Sequence, residues 1–139
     1  MDLPPFGPQL VGETEKTLDA LLRRELAPTG LTPGHWVALR LALQHAGAPA
    51  GTGLAEAVTA RARLDDAPRL VHDLRAAALL DGDEVTPAGH DLVAGVQARV
   101  QGVVGPVLAA VPPADAAAAA RALHALRVGV RQALDAPAT

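Results

Sequence analysis

The chain has 139 residues, a formal net charge of −3 at pH 7 and no cysteine. This length is enough for one domain with one moderate core, and the lack of cysteine excludes disulfides, thiolate metal sites and cysteine redox chemistry. The negative charge argues against a generally basic surface that binds phosphates without specificity, although it leaves room for a local basic patch. Half of the residues are apolar and only 1% are aromatic, so the core must consist of leucine, valine and alanine, which favours a mainly α-helical fold.

The hydropathy of the chain favours a soluble protein. No run of about 18 apolar residues is free of charge, and the first residues lack the charged start and apolar stretch of a signal peptide. We therefore expect a cytoplasmic protein without membrane contact.

Leucines at helical spacing predict a first helix over residues 9–26. A second helix is predicted to begin at Thr32 and Pro33, because threonine accepts a hydrogen bond from an unpaired helical N–H and proline has no N–H to leave unpaired. The inner face of this second helix is predicted to hold Trp36, Leu39 and Leu43.

A loop rich in glycine and proline is predicted over residues 45–53, followed by a short third helix over 54–60. A fourth helix is expected to follow, with Asp65 or Asp66 as its cap, and to continue to Leu80. This helix carries two arginines, Arg69 and Arg75.

A tight acidic turn, Asp81–Glu84, separates the fourth helix from the single β-type residue Val85. The pair Thr86-Pro87 repeats the start signal of the second helix and predicts a fifth helix over about residues 87–110. A sixth helix is predicted over 114–134, with apolar residues at spacings of three and four.

Three helices suffice for a small core, so the first, fifth and sixth are left over, and all three are amphipathic. The fifth helix is apolar around more of its circumference than one short neighbour could cover. The simplest explanation of this apolar surface is a homodimer that buries it. The alternative is a monomeric six-helix protein that covers the same surface internally.

Four short motifs follow one another along the chain: Leu31–Leu39, Leu54–Glu56, Leu70–Leu80 and Val85–Gly89. Their order and spacing resemble those of MarR-type transcriptional regulators. The resemblance implies a winged helix-turn-helix with extra N- and C-terminal dimerisation helices, in a single domain over residues 1–139. Residues 31–86 would form the winged-helix lobe, and residues 9–30 and 87–136 the dimerisation helices. It further implies a homodimer that reads a pseudo-palindromic site in double-stranded DNA and responds to a small aromatic or phenolic ligand.

The chain departs from the family pattern at the wing, which in the family is a longer β-hairpin that bears arginines. Here only Asp81–Glu84 stand in its place, with three carboxylates and no cation, so we expect a minimal or absent β-wing. Candidate DNA-binding residues are therefore confined to the third and fourth helices and their link: Arg61, Arg63, Arg69, His72 and Arg75.

Two functional hypotheses stay open on this charge pattern. In the first, the fourth helix still reads DNA, because phosphate contacts supply affinity and base-edge contacts supply specificity. In the second, the winged-helix dimer has lost DNA binding and acts as a ligand-binding or protein-interaction module. An enzyme is not expected, since the chain has no serine nucleophile and no phosphate-binding glycine loop after a strand, although a small-molecule enzyme built in the dimer pocket remains a third option.

Candidate ligand-binding residues are His35, Trp36 and Arg40, which stand where the family pocket would lie and could bind a carboxylate or phenol. The alternative is a core tryptophan with polar neighbours at the surface. Neither a metal nor a cofactor is expected, because the five histidines form no His-x-x-x-His pair and no cysteine is present.

Overall fold

The computed structural model describes residues 2–45, 53–62 and 66–137, apart from the side chains of residues 60–62. Within these residues the chain is mainly α-helical, as the composition predicts, and it also has a small antiparallel sheet of two strands. The elements are α1 (Pro8–Leu26), a 3-10 turn (Ala27–Thr29), α2 (Pro33–His45), α3 (Leu54–Ala62), α4 (Ala67–Ala76), β1 (Leu80–Asp81), β2 (Glu84–Val85), α5 (Pro87–Ala109) and α6 (Pro113–Asp135). They divide into two compact units, Met1–Gln101 and Gly102–Thr139.

The core of the first unit lies where α2, α3 and α4 pack against one another. It is aliphatic except for one indole, in keeping with the composition. Its largest fully buried side chains are Leu26, Leu39, Leu54, Val58, Val71, Leu74 and Val96. On α2 the inner face consists of Trp36, Ala38, Leu39 and Ala42. The predicted inner residue Leu43 is only partly buried, because it lines an open cleft.

Both threonine–proline start signals produce the predicted caps. At α2 the Oγ1 of Thr32 accepts a hydrogen bond from the backbone N–H of His35 at 3.3 Å. At α5 the Oγ1 of Thr86 accepts one from the N–H of Gly89 at 3.1 Å. Asp66 occupies the N-cap position of α4, but its side chain makes no capping hydrogen bond. The predicted alternative, Asp65, lies outside the described residues.

The prediction that the fourth helix continues to Leu80 is wrong, because α4 ends at Ala76. Its end is closed by two backbone hydrogen bonds, from Ala78 N–H to Arg75 O and from Leu79 N–H to Leu74 O, both at 3.0 Å. This pair of bonds is the Schellman motif, which requires a left-handed residue after the helix. Ala78 fills that role with a φ of 60°, and the chain then enters β1.

The sheet is a hairpin in which Leu80 pairs with Val85 and Asp81 with Glu84. Two residues, Gly82 and Asp83, connect the strands, and Gly82 takes the positive φ of 61° that tight hairpin turns require. The segment predicted to stand in place of a wing, Asp81–Glu84, is therefore part of a very short hairpin.

The first part of α5 belongs to the first unit, where Val93 and Val96 are buried. Arg99 fastens this part to α1: its guanidinium donates to the backbone carbonyl of Glu25 at 3.2 Å and lies 3.3 Å from the carboxylate of the same residue. The bond satisfies a carbonyl at the C-terminus of α1, where a cation is favoured by the helix dipole.

By length and composition α5 could also cross a membrane. Its most apolar stretch of 18 residues has a mean hydropathy of 1.3, and 11% of that stretch is buried. A single helix of this kind is weak evidence for a membrane protein. A soluble protein is compatible with the structure.

The second unit contains the end of α5 and the whole of α6. No residue of the 23-residue α6 is buried, and its apolar side chains are largely solvent-facing, with Leu134 64% exposed. The end of α5 behaves in the same way, since Val107 is 64% exposed. Apolar surface on this scale is unusual for a helix of a monomeric soluble protein.

Candidate nucleic-acid interface

Helix α4 has two distinct faces, which decide what it can contact. Leu70, Val71 and Leu74 are buried against the core. Arg69 and His72 are exposed on the other side, so their side chains are available to a large partner. The spacing of three places them on neighbouring turns of one helical face.

Three of the five predicted DNA-binding residues can be located by their side chains. Arg69 and His72 share the exposed face of α4, and Arg75 lies in its last turn. Arg63 lies outside the described residues. Arg61 belongs to α3, and nothing is described of its side chain.

Arg75 is bound to the hairpin. Its Nε–H donates to the carbonyl of Gly82 at 2.7 Å, and one Nη donates to the carboxylate of Asp83, also at 2.7 Å. The guanidinium of Arg75 is therefore held by two charge-assisted hydrogen bonds within the protein. The hairpin β1–β2 thus binds a cation of α4.

Asp83 also reaches the start of α3. Its second carboxylate oxygen accepts a hydrogen bond from the backbone N–H of Leu54 at 3.3 Å. Negative charge is favoured at a helix N-terminus, where backbone N–H groups lack partners. One carboxylate therefore joins α3, the end of α4 and the hairpin turn.

His35 links the start of α2 to α4. Its Nδ1 accepts a hydrogen bond from the backbone N–H of Thr32 at 3.0 Å, so Nε2 carries the proton and donates to Asp73 at 2.9 Å. The hydrogen bond from His35 lowers the pKa of Asp73, and the nearby charges of Arg69 and His72 act in the same direction. Asp73 is thus an ionised member of the α4 surface.

The predicted ligand-binding residues occupy three different environments. Both ring nitrogens of His35 are already engaged within the protein, Trp36 is 6% exposed in the core, and Arg40 is exposed. A ligand that used His35 would have to replace the bond to Asp73 or the bond to Thr32. Contact with a small molecule stays a prediction, for which Arg40 is the accessible group.

An open cleft of about 370 Å³ lies elsewhere in the first unit, between the end of α2, the hairpin and the start of α5. Its walls include His45, Glu84 and His90, together with apolar groups from Leu43 and Val85. None of the three predicted ligand residues lines it. Among the described residues, no group of three or more histidine, aspartate or glutamate side chains is placed to hold a metal ion.

The charge of α4 and the hairpin is negative. Residues 66–86 contain two arginines and five carboxylates, which gives a formal net charge of −3. The carboxylates are Asp66, Asp73, Asp81, Asp83 and Glu84. Because phosphate contacts dominate the affinity for duplex DNA, this segment alone offers little non-specific attraction.

Two of the residues that shape this surface, the carboxylates Asp73 and Asp83, are not apparent from sequence reasoning. The Thr-x-x-His spacing at Thr32 and His35 is a detectable signal, since it places an acceptor at the third helical position of a capping box. The partners Asp73 and Asp83 carry no such signal, because each pairs with a residue of another element.

Comparison of the chain with protein-family models, with curated proteins and with solved structures finds no match. The resemblance to MarR-type regulators therefore rests on the motifs and spacings of this chain alone.

Proposed function

We propose that the chain is a MarR-like winged-helix transcriptional regulator that binds double-stranded DNA through α4 as a homodimer and responds to a small ligand. One observation carries the proposal. Helix α4 buries Leu70 and Leu74 on its inner side while Arg69 and His72 stand exposed on the other, as a recognition helix needs in order to reach base edges and phosphates.

The order of elements supports the winged-helix assignment. Three mutually packed helices, α2 to α4, are followed directly by a hairpin and then by a long helix. In a helix-turn-helix the second helix enters the major groove and the first helix crosses the DNA backbone. Here α3 and α4 take those positions, and the hairpin β1–β2 takes the position of the wing.

The exposed apolar surface of the second unit supports the homodimer. Helix α6 buries no residue, and side chains such as Leu123 and Leu134 would remain in water in a single copy. A second copy would cover this surface and would place two α4 helices on one duplex, as a pseudo-palindromic site requires. It would also double the number of cations that face the DNA.

The charge of residues 66–86 favours a second candidate function. With a net charge of −3 and Arg75 engaged by the hairpin, the same scaffold could serve as a protein-interaction or ligand-binding module without duplex affinity. The two candidates differ in one measurable property, which is binding to DNA at low salt.

Fluorescence anisotropy with the DNA upstream of the protein's own coding sequence tests the proposal. We expect binding that weakens with salt, and Arg69→Ala should lower the slope of log affinity against log salt by about 0.9 for each phosphate that Arg69 neutralises in the wild type. Arg23→Ala, which removes an exposed arginine of α1, is the charge-matched control and should leave the slope unchanged.

Two outcomes would reject the proposal. If the wild-type protein shows no salt-dependent binding at about 50 mM salt, where phosphate contacts are strongest, the second candidate function is preferred. If the protein sediments as a monomer at micromolar concentration, the homodimer is wrong, and the two-fold arrangement of α4 helices is wrong with it.

A further inference from the structure

We infer that the acidic hairpin inhibits DNA binding by holding Arg75 through the carbonyl of Gly82 and the carboxylate of Asp83. We call these two contacts the latch. In the latched state both contacts are made and Arg75 is kept from DNA, and in the released state they are broken. The inference rests on the proposed function, because it assigns a role to the hairpin at the same surface. It differs from a simple loss of the wing, since the hairpin actively competes with phosphate for a cation of α4.

Arg75 binds the hairpin with the same two N–H donors that it would offer to a phosphate. A guanidinium grips an oxyanion through two parallel N–H donors, and here Nε and one Nη of Arg75 are directed at Gly82 and Asp83 at 2.7 Å each. While these bonds last, the Arg75 side chain cannot offer the same two donors to DNA. The latch therefore occupies the edge of the guanidinium that would bind a phosphate.

Asp83 is itself held in place, which makes the latch a defined state. Its other oxygen accepts the N–H of Leu54 at the start of α3, and the turn that carries it is fixed by the positive φ of Gly82. A carboxylate oriented from two sides loses little conformational freedom on binding Arg75. It is therefore a better competitor than a freely rotating acidic side chain.

The latch is weak enough to open. The side chains of Arg75 and Asp83 are 46% and 40% exposed, and exposed ion pairs are screened by water and salt. We expect the latch to reduce the affinity for DNA about five-fold, which corresponds to about 1 kcal/mol. Of the two arginines of α4, only Arg75 is subject to it, because Arg69 makes no hydrogen bond or ion pair among the described residues.

The test uses Asp83→Asn in the full-length protein and anisotropy on a duplex of about 30 base pairs, with a salt series. Asparagine keeps a side-chain oxygen for the N–H of Leu54 and removes the charge that holds Arg75. Asp81→Asn is the matched control: it removes the same charge from the same hairpin, and Asp81 does not contact Arg75 among the described residues.

We expect Asp83→Asn to bind about five-fold more tightly than Asp81→Asn, with a salt slope steeper by about 0.9 per protomer. Adding Arg75→Ala to Asp83→Asn should abolish this gain. Arg75→Ala alone should change wild-type binding less than two-fold, and this result does not depend on how well the Asp83 variant folds.

Equal binding by Asp83→Asn and Asp81→Asn would overturn the latch, as would a large loss of wild-type binding on Arg75→Ala. Failure of the proposed function has a different signature, which is a wild-type protein that does not bind at low salt. In that case binding by Asp83→Asn would support the latch on its own, and no binding by either protein would reject both proposals.

Discussion

Gly89 sits where α5 meets the hairpin, and replacing it with alanine should destabilise the first unit. A Cβ at this position would lie 2.5 Å from the carbonyl oxygen of Leu79 and 2.7 Å from Cγ1 of Val85. Both distances are below 3.0 Å, which real Cβ atoms essentially never show. The carbonyl cannot yield easily, because it accepts the backbone N–H of Thr86 at 3.1 Å. Overpacking of this kind costs about 1–3 kcal/mol, and the higher helix propensity of alanine recovers less than about 1 kcal/mol.

We therefore expect a net loss of about 1–2 kcal/mol for Gly89→Ala and a fall in the midpoint of thermal unfolding of roughly 3–10 °C for a chain of this length. Gly95→Ala in the same helix is the control, since its Cβ would meet only the tip of the Arg99 side chain at 3.5 Å. That variant should be neutral or up to about 1 kcal/mol more stable. The melts must be compared at one protein concentration, because association shifts the midpoint. A Gly89→Ala protein as stable as wild type would show that the close approach of α5 to Leu79 does not exist.

Two further predictions concern α4. Ala78→Gly should raise the free energy of unfolding by about 0.5–1 kcal/mol, because Ala78 has a φ of 60° that glycine adopts without strain; no gain in urea denaturation would argue against the left-handed helix end. Asp73→Asn should alter the acid side of the stability curve. The lowered pKa of Asp73 contributes stability that is present above its unfolded value of about 3.8 and is lost as pH falls through the folded value. The gap in stability between wild type and Asp73→Asn should therefore be fully present above about pH 3.8 and narrow as the pH falls below that value; a constant gap would contradict the bond from His35.

The helix starts could be predicted from local chemistry, whereas the end of α4 could not be read from residue types. Thr86 and Pro87 act on the backbone within one turn, so their signal is complete in the sequence. Residues 77 and 78 are alanines, which favour helix. The helix stops because its period of 100° per residue would place Leu79 and Leu80 roughly 160° and 100° from the centre of the face of Leu70 and Leu74. Leaving the helix lets both leucines be buried.

The sequence allowed the polar side chains of the candidate site to be predicted, but not the residues that they contact. Arg69, His72 and Arg75 are recognisable as the polar side of an amphipathic helix. Arg75 is bound by a turn that lies seven and eight residues later in the chain. The geometry of that turn follows from where α4 ends. The bond between His35 and Asp73 joins residues 38 positions apart, so only the packing of α2 against α4 brings them together. Trp36, by contrast, is predicted on the inner face of α2 from helical spacing alone, and the structure buries it there.

Helix α6 owes its helical conformation to its own sequence. Residues 116–120 are five consecutive alanines, the residue with the highest helix propensity, and 23 residues exceed the roughly 12–15 below which isolated helices are marginal in water. A segment that is already helical has little backbone entropy left to lose when another surface covers it. The C-terminal unit can therefore present its apolar side chains on a preorganised scaffold, and its association would depend on side-chain fit more than on induced folding.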